Sequence, residues 1–225
     1  MQDGILLVNK PAEWTSHDVV AKLRGILRTR RIGHGGTLDP MATGVLVVFV
    51  GKATKQVQFH ESANKTYVAG LKLGVRTNTY DVTGEVTYVS PEPVSVSAEQ
   101  LETALERFRG EQQQFPPMFS AVKIKGKKLY EYARKGQEIE RKPRGITVNK
   151  LEILGGADAD WTLNIDCSKG TYIRSLCNDI GDEVGTGGTM SSLIRTRSGD
   201  FYLEQCHTLE EINDVTQDGY CPWIF

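Results

Sequence analysis

The chain has 225 residues, 39% of them hydrophobic, and its 27 Lys and Arg against 28 Asp and Glu give a net charge of −1. This is the composition of an ordinary globular protein, long enough for one large domain or two small ones. No apolar run approaches the roughly 18 residues that a membrane span needs, which excludes a membrane-spanning protein. No basic segment followed by a long apolar one opens the chain, so no signal peptide is predicted and a cytoplasmic location is expected.

The first third of the chain predicts two buried strands with a helix between them. Residues 5–8 and 45–50 are short apolar runs, each followed by a turn signal. The helix is expected to begin at Thr15 or Ser16, either of which can cap it, before apolar residues at helical spacing. Residues 67–73 alternate well enough to predict a third strand.

The loop HGGTLDPMATGVL, residues 34–46, places one carboxylate between a glycine-rich turn and a proline. The glycines allow close backbone approach, and Pro40 stiffens the chain after Asp39. A carboxylate held in this way can act as a nucleophile or a general base. Asp before Pro also commonly serves only to turn the chain. Spacing alone leaves both interpretations open.

The second half of the chain predicts two helices and a strand. Ser97 and Gln100 form a capping-box signature before an apolar helical pattern that Gly110 is expected to end. Residues 161–167 alternate as in a half-buried strand, and 172–184 predict a helix followed by Gly185. This mixture of strands and helices, without regular βαβ alternation, favours an α+β fold.

Between residues 112 and 144 the pattern weakens and the charge becomes basic. Residues 123–150 contain ten Lys or Arg and three acids, whereas 198–225 contain six acids and no Lys or Arg. Such a segment can bind a polyanion while the molecule stays nearly neutral, although a solvated lysine-rich loop explains the charges equally well. We interpret the segment as a mobile arm on the domain.

Metal-ligand patterns are missing from the sequence. The four cysteines and four histidines are scattered, with no CxxC pair and no regular spacing. Neither a structural zinc site nor a disulfide framework is therefore predicted. Cys177 follows Leu176 in an apolar helical pattern and is expected in the core.

Several separate stretches resemble the TruB family of tRNA pseudouridine synthases and occur in the family's order. They are residues 7–11 with 15–16, 32–40 with 42–46, 65–67, 81–84, 116–121, 170–176 and 195–199. The resemblance implies the pseudouridine synthase fold, an α+β fold with a mixed, largely antiparallel sheet flanked by helices and loops. It also implies one catalytic domain over residues 1–225, with a basic RNA-clasping insertion at about 119–145. Many bacterial members of the family continue into a small C-terminal RNA-binding domain, and no such PUA-type domain is expected within residues 1–225.

The activity implied by the resemblance is isomerisation of uridine 55 in the T loop of tRNA. The C1′–N1 bond of the nucleotide breaks, the uracil turns, and a C1′–C5 bond forms. This reaction needs no redox step and no group donor, so neither a cofactor nor a metal is expected. The T arm of tRNA is the expected partner, and a monomer is the expected form.

The resemblance also assigns roles to individual residues. Asp39 resembles the catalytic aspartate, which attacks the sugar or removes its 2′ proton. Tyr67 resembles the tyrosine that stacks on the target base, and Arg174 the arginine that pairs with the catalytic carboxylate. His34 is expected to enter the T loop and separate its bases.

Supporting and RNA-binding roles follow from the same resemblance. Lys10 and Pro11 are expected to support the tyrosine, and Leu193 to line the uracil pocket. The expected RNA contacts of the basic insertion are Lys123, Lys125, Lys127, Arg134, Arg141 and Arg144. Two rival hypotheses remain: a non-catalytic RNA-remodelling protein, and a nucleoside hydrolase, which leaves the basic insertion unexplained.

Overall fold

The computed structural model describes residues 2–225 and divides into two compact units. The first unit comprises Met1–Val68 and Leu193–Phe225, and the second comprises Ala69–Ser192. The organisation of residues 1–225 as a single catalytic domain stays a prediction. In the part of the chain from residue 2 onward, no helix is long and apolar enough to cross a membrane.

The helices and strands follow one another without regular alternation. The helices are α1 Ser16–Ile26, α2 Val57–His60, α3 Ala98–Glu106, α4 Leu129–Ala133, α5 Ile173–Val184 and α6 Leu209–Val215, and the strands are β1 Gly4–Lys10, β2 Ile32–His34, β3 Thr43–Val50, β4 Lys65–Leu73, β5 Val75–Thr77, β6 Val86–Val89, β7 Gly110–Gln114, β8 Lys123–Ile124, β9 Lys127–Lys128, β10 Arg144–Ala157, β11 Asp160–Cys167, β12 Gly188–Ser198 and β13 Phe201–Tyr202.

In the first unit β3 is the central strand. It pairs antiparallel with β1, where Lys10 lies opposite Gly44, and antiparallel with β2. The C-terminal part of β12 pairs with it in parallel, with Arg195 opposite Gly44. Alternate residues of β1 and β3 enter two separate hydrophobic clusters, one on each face. Because both faces are covered, the two strands read as continuous apolar runs, as predicted.

Helix α1 begins where Thr15, and not Ser16, caps it. The Thr15 hydroxyl accepts the Asp18 N–H at 3.1 Å, and the Asp18 carboxylate accepts the Thr15 N–H at 2.9 Å. Ser16 is the first helical residue. The helix then buries Val19, Val20 and Leu23, which fixes its first turns against the core.

The second unit contains a ladder in which β10 pairs antiparallel with both β11 and β7. Helices α3 and α5 supply further buried residues, among them Leu101, Leu105 and Cys177, which lies in the core as predicted. The predicted capping box starts α3, but the helix ends at Glu106. Gly110, expected to end it, instead opens β7 with a φ of +86°. Gly185 does end α5, with a φ of +85°.

The segment 119–145, called the arm below, is more regular than the sequence predicts. It contains the two-stranded β8–β9 hairpin and helix α4. Leu129 is buried, its N–H donates to the Val122 carbonyl at 2.8 Å, and the Tyr130 N–H donates to the Ser120 carbonyl at 3.1 Å. Elements of two to five residues are too short to leave a periodic pattern. The mobility of the arm stays a prediction.

Candidate active site

Residues 33–44, called the Asp39 loop below, comprise the end of β2, the connection 35–42 and the start of β3 in the first unit. Asp39 is partly exposed, and its carbonyl accepts the Ala42 N–H at 3.0 Å. The residue before it is held by Ser16, whose hydroxyl accepts the Leu38 N–H at 2.9 Å and donates to the Leu38 carbonyl at 3.4 Å. The backbone that leads into Asp39 is therefore fixed by a buried side chain.

Lys10 holds the backbone that leads out of Asp39. Its ammonium donates to the carbonyls of Pro11 at 2.7 Å, Trp14 at 2.6 Å and Pro40 at 3.1 Å. The side chain is 0% exposed, and this burial lowers the pKa of Lys10 to about 8. The negative charge of Asp39 acts in the opposite direction and favours the ammonium form. Lys10 is thus charged at neutral pH and saturated with acceptors.

Arg195 fixes both ends of the Asp39 loop from β12. Its Nε donates to the Val45 carbonyl at 2.7 Å and its Nη2 to the Gly36 carbonyl at 3.2 Å, and the residue is 1% exposed. Gly44 lies so close to it that a Cβ there would stand 2.3 Å from the Arg195 carbonyl oxygen, at a φ of +101°. Only glycine permits this approach.

The other residues predicted for the site in the first unit lie on neighbouring strands. Tyr67 on β4 and Leu193 on β12 are both buried. The backbone beside Tyr67 is tied to β12, because the Thr66 hydroxyl accepts a hydrogen bond from Nε of Arg197 at 3.0 Å.

His34 is the last residue of β2. Its pKa is lowered, first by burial of the imidazole and then by the nearby charge of Arg195. The His34 imidazole is therefore neutral at pH 7. Pro11 follows β1 directly and supplies one of the carbonyls that Lys10 contacts.

Arg174 lies at the start of α5, in the second unit. Its Nη1 donates to the Thr79 carbonyl at 2.9 Å and its Nη2 to the Phe119 carbonyl at 3.0 Å. Nε stands 3.6 Å from the Asp81 carboxylate, and both side chains are buried. The guanidinium plane is therefore held in one orientation. Pairing of Arg174 with Asp39 stays a prediction.

The six basic residues predicted for the arm divide into two groups. Lys123, Lys125, Lys127 and Arg134 are exposed. Arg141 and Arg144 are partly buried and bind within the protein. Nη1 of Arg141 donates to the Pro116 carbonyl at 3.1 Å, and the Arg144 guanidinium carbon lies 5.3 Å from the centroid of the Tyr172 ring. The first group is available to a ligand, and the second also stabilises the base of the arm.

The structure adds residues that sequence reasoning did not assign. Ser16 and Arg195 hold the Asp39 loop, and Asp81 lies beside Arg174. Residues 15–16, 81–84 and 195–199 belong to stretches that carry the family resemblance, but their contacts have no local signal. Among residues 2–225 no three His, Cys, Asp or Glu side chains converge as metal ligands would.

Comparison with known proteins identifies the family. Residues 24–173 match the model of the TruB family pseudouridylate synthase N-terminal domain, and residues 174–220 match that of the tRNA pseudouridylate synthase B C-terminal domain. The chain is 46% identical over 224 residues to tRNA pseudouridine synthase B of Bacillus pumilus, with 97% of this chain and 72% of the relative covered. It is 47% identical over 229 residues to that of Bacillus anthracis, with 99% and 75% covered.

Solved structures agree with the sequence relatives. A chain in a Cbf5-Nop10-Gar1 complex matches with 35% identity and a TM-score of 0.75, covering 98% of this chain and 57% of that one. A chain in an H/ACA RNP bound to a substrate RNA containing 2′-deoxyuridine matches with 31% identity and a TM-score of 0.73, covering 98% and 56%. The present chain thus spans a little over half of those two solved chains. It belongs to the TruB family of pseudouridine synthases, isomerases that convert uridine to pseudouridine, and it has their α+β fold.

Proposed function

We propose that this enzyme isomerises uridine 55 in the T loop of tRNA and that Asp39 is its catalytic carboxylate. The relatives named tRNA pseudouridine synthase B support the substrate, since they are 46–47% identical over nearly the whole chain. The observation that carries the role of Asp39 is the construction of its loop. Buried side chains hold the backbone on both sides of this partly exposed carboxylate.

The reaction exchanges one glycosidic bond for another within a single nucleotide. The C1′–N1 bond breaks, the uracil turns, and C1′ bonds to C5, which then loses its proton. Asp39 either attacks C1′ or removes the 2′ proton, and both routes require an ionised carboxylate in a fixed position near the ribose. The Asp39 loop is suited to this requirement because its backbone is held before the substrate arrives.

The target uridine must leave the stacked T loop before it can react, at a cost of a few kcal/mol. Buried Tyr67 and Leu193 offer an aromatic and an aliphatic wall for the extruded base, which offsets part of this cost. His34 enters the T loop and separates its bases. Its low pKa suits this role, because a neutral imidazole stacks among bases without carrying a buried charge.

Arg174 is the arginine proposed to pair with the catalytic carboxylate, through the attraction between a guanidinium and a carboxylate. Its fixed orientation on the carbonyls of Thr79 and Phe119 supports the role, since a guanidinium held in one plane presents its charge in a defined direction.

The arm binds the phosphates of the T arm. Its exposed lysines carry no base-specific information, so they contribute affinity that falls as salt rises. Specificity comes from the shape of the T loop and from its extruded bases. The enzyme works as a monomer in the cytoplasm, without a metal or a cofactor.

Pseudouridine mapping on a T-arm stem-loop tests the proposal. The wild-type protein is expected to convert the target uridine, and a stem-loop with cytidine at that position to remain unmodified. Asp39→Asn is expected to lower the rate at least 10³-fold while RNA affinity stays within about twofold, since the two side chains have the same size. Substantial turnover by Asp39→Asn contradicts the role of Asp39. RNA binding by the wild-type protein without any pseudouridine supports the RNA-remodelling alternative.

A further inference from the structure

We infer that Ser16 is a positioning residue for Asp39: its hydroxyl sets the backbone conformation of Leu38, and through it the direction of the catalytic carboxylate. The inference rests on the role proposed for Asp39 above. Ser16 belongs to α1, and its side chain leaves that helix to contact a loop 22 residues further along the chain.

The contact between Ser16 and Leu38 is unusual because one hydroxyl serves both polar groups of a single backbone residue. It accepts the Leu38 N–H at 2.9 Å and donates to the Leu38 carbonyl at 3.4 Å. Ser16 is 1% exposed and Leu38 is buried, so water does not replace these bonds. Holding both groups restricts rotation about the two backbone bonds of Leu38, and the next residue is Asp39.

The Ser16 hydroxyl is not needed by its own helix. Thr15 caps α1 through a complete capping box with Asp18, so the helix start is satisfied without Ser16. Val19, Val20 and Leu23 anchor the same turns in the core. Ser16 therefore has a fixed position on α1, and its hydrogen bonds to Leu38 restrict the Asp39 loop relative to that helix.

Ser16 and Lys10 act on opposite sides of Asp39. Lys10 holds the Pro40 carbonyl at 3.1 Å, one residue after the carboxylate. Removing the Ser16 hydroxyl frees only the residue before Asp39, so the loop stays in place while the carboxylate gains freedom. Misplacement of a reacting group by about 1 Å costs roughly 100-fold in rate. We expect a loss of about 10- to 100-fold, in the rate at saturating RNA and not in RNA affinity.

Paired variants at neighbouring residues test the inference. Ser16→Ala removes the hydroxyl that contacts Leu38, and Thr15→Ala removes the hydroxyl that caps the same helix. Both are expected to lower the melting temperature, because each removes a hydrogen bond from the start of α1 or from its contacts. Only Ser16→Ala is expected to slow single-turnover pseudouridine formation at saturating enzyme. Ser16→Cys keeps the shape of the side chain, but its larger sulfur forms only weak hydrogen bonds, and this variant is expected to be slow as well.

A second measurement does not depend on activity. The Leu38 amide is expected to be protected from hydrogen exchange in the wild-type protein and in Thr15→Ala, and to lose protection in Ser16→Ala. The inference is overturned if Leu38 protection is unchanged in Ser16→Ala, if Thr15→Ala slows the reaction as much, or if Ser16→Cys retains the full rate. The wild-type protein and Asp39→Asn are assayed in parallel as controls. An inactive wild type or an active Asp39→Asn contradicts the proposed function. In either case the hydrogen-exchange result still tests whether Ser16 holds the Leu38 backbone.

Discussion

The Asp39 loop and the arm are built on opposite principles. Three buried polar side chains hold the Asp39 loop: Lys10, Ser16 and Arg195 are at most 1% exposed, and each bonds to backbone carbonyls or amides of the loop or of its flanking residues. The arm carries its charges on exposed side chains, and buried Leu129 is its main hydrophobic anchor. One region fixes atoms in place, and the other presents charge.

This difference assigns two tasks to two regions: the Asp39 loop sets the position of the carboxylate, and the arm contributes to RNA affinity. A buried cation is costly unless its donors are satisfied, so Lys10 and Arg195 depend on the loop conformation that they stabilise. Exposed lysines have no such dependence and tolerate many positions of a phosphate. Changes in the Asp39 loop should therefore alter rate and stability together, whereas changes in the arm should alter affinity and its salt dependence alone.

Among the residues that surround the catalytic carboxylate, Arg195 should give the largest effect when it is replaced by methionine, because its loss should disrupt the Asp39 loop. Methionine leaves the carbonyls of Val45 and Gly36 without their donors, and each unsatisfied buried group costs about 1–3 kcal/mol. We expect the single-turnover rate to fall at least 100-fold and the melting temperature to fall by several degrees, measured by pseudouridine mapping and thermal denaturation. Arg28→Met is the control, because Arg28 forms only an exposed ion pair with Asp218. A full rate in Arg195→Met contradicts the role given to this residue.

Replacing Lys123, Lys125 and Lys127 with glutamate should weaken RNA binding about 10- to 100-fold without changing the rate at saturating enzyme. The reason is loss of phosphate contacts, which should also lower the slope of log affinity against log salt by about two to three. Affinities for the T-arm stem-loop at several salt concentrations measure both effects. Lys72→Gln, outside the arm and paired with Asp160, should leave affinity unchanged. A lower rate at saturation would show that the arm also positions the substrate.

Local patterns in the sequence predicted the strands and helices that surround the site, but not the hydrogen bonds that hold the Asp39 loop. The apolar runs of β1 and β3 and the capping signals of α1 and α3 are local, and the structure confirms them. The Ser16 hydroxyl meets Leu38 22 residues away, and Arg195 meets Val45 150 residues away. Hydrogen bonds between distant segments leave no periodic signal, so only the fold reveals them.

Strand β10 shows a second reason why sequence patterns miss an element of the fold. It runs for 14 residues, yet its pairing with β11 shifts register twice, between Val148 and Lys150 and between Ile153 and Gly155. Each shift moves the following side chains to the other face, which removes the alternation that predicts a strand. Arg174 illustrates the same limit for the site: the resemblance marked the residue, but the carbonyls that hold it come from Thr79 and Phe119, far along the chain.

The smallest expected effect is a dependence of the rate on pH, set by Lys10. Burial lowers the pKa of Lys10 to about 8. Above that pH a neutral amine has two N–H donors for three carbonyls, so the bond to Pro40, the longest at 3.1 Å, is expected to weaken. The single-turnover rate should therefore fall several-fold as pH rises from 7 to 9. The Lys10→Met variant should react more slowly at every pH in this range, and its rate should not show the alkaline decrease.

Above about pH 8 the contribution of Lys10 to stability should change in the opposite direction to the rate, which identifies the cause of the slower reaction. The pKa of Lys10 in the folded protein lies below its ordinary value of 10.5, so between about pH 8 and 10.5 the unfolded chain binds more protons. The contribution of Lys10 to the free energy of unfolding thus rises with pH in this window. A rate that falls while this contribution holds or grows reports a loosened Asp39 loop and not unfolding. If the alkaline limb persists in Lys10→Met, it belongs to another group, and the hold on Pro40 is not what sets the rate.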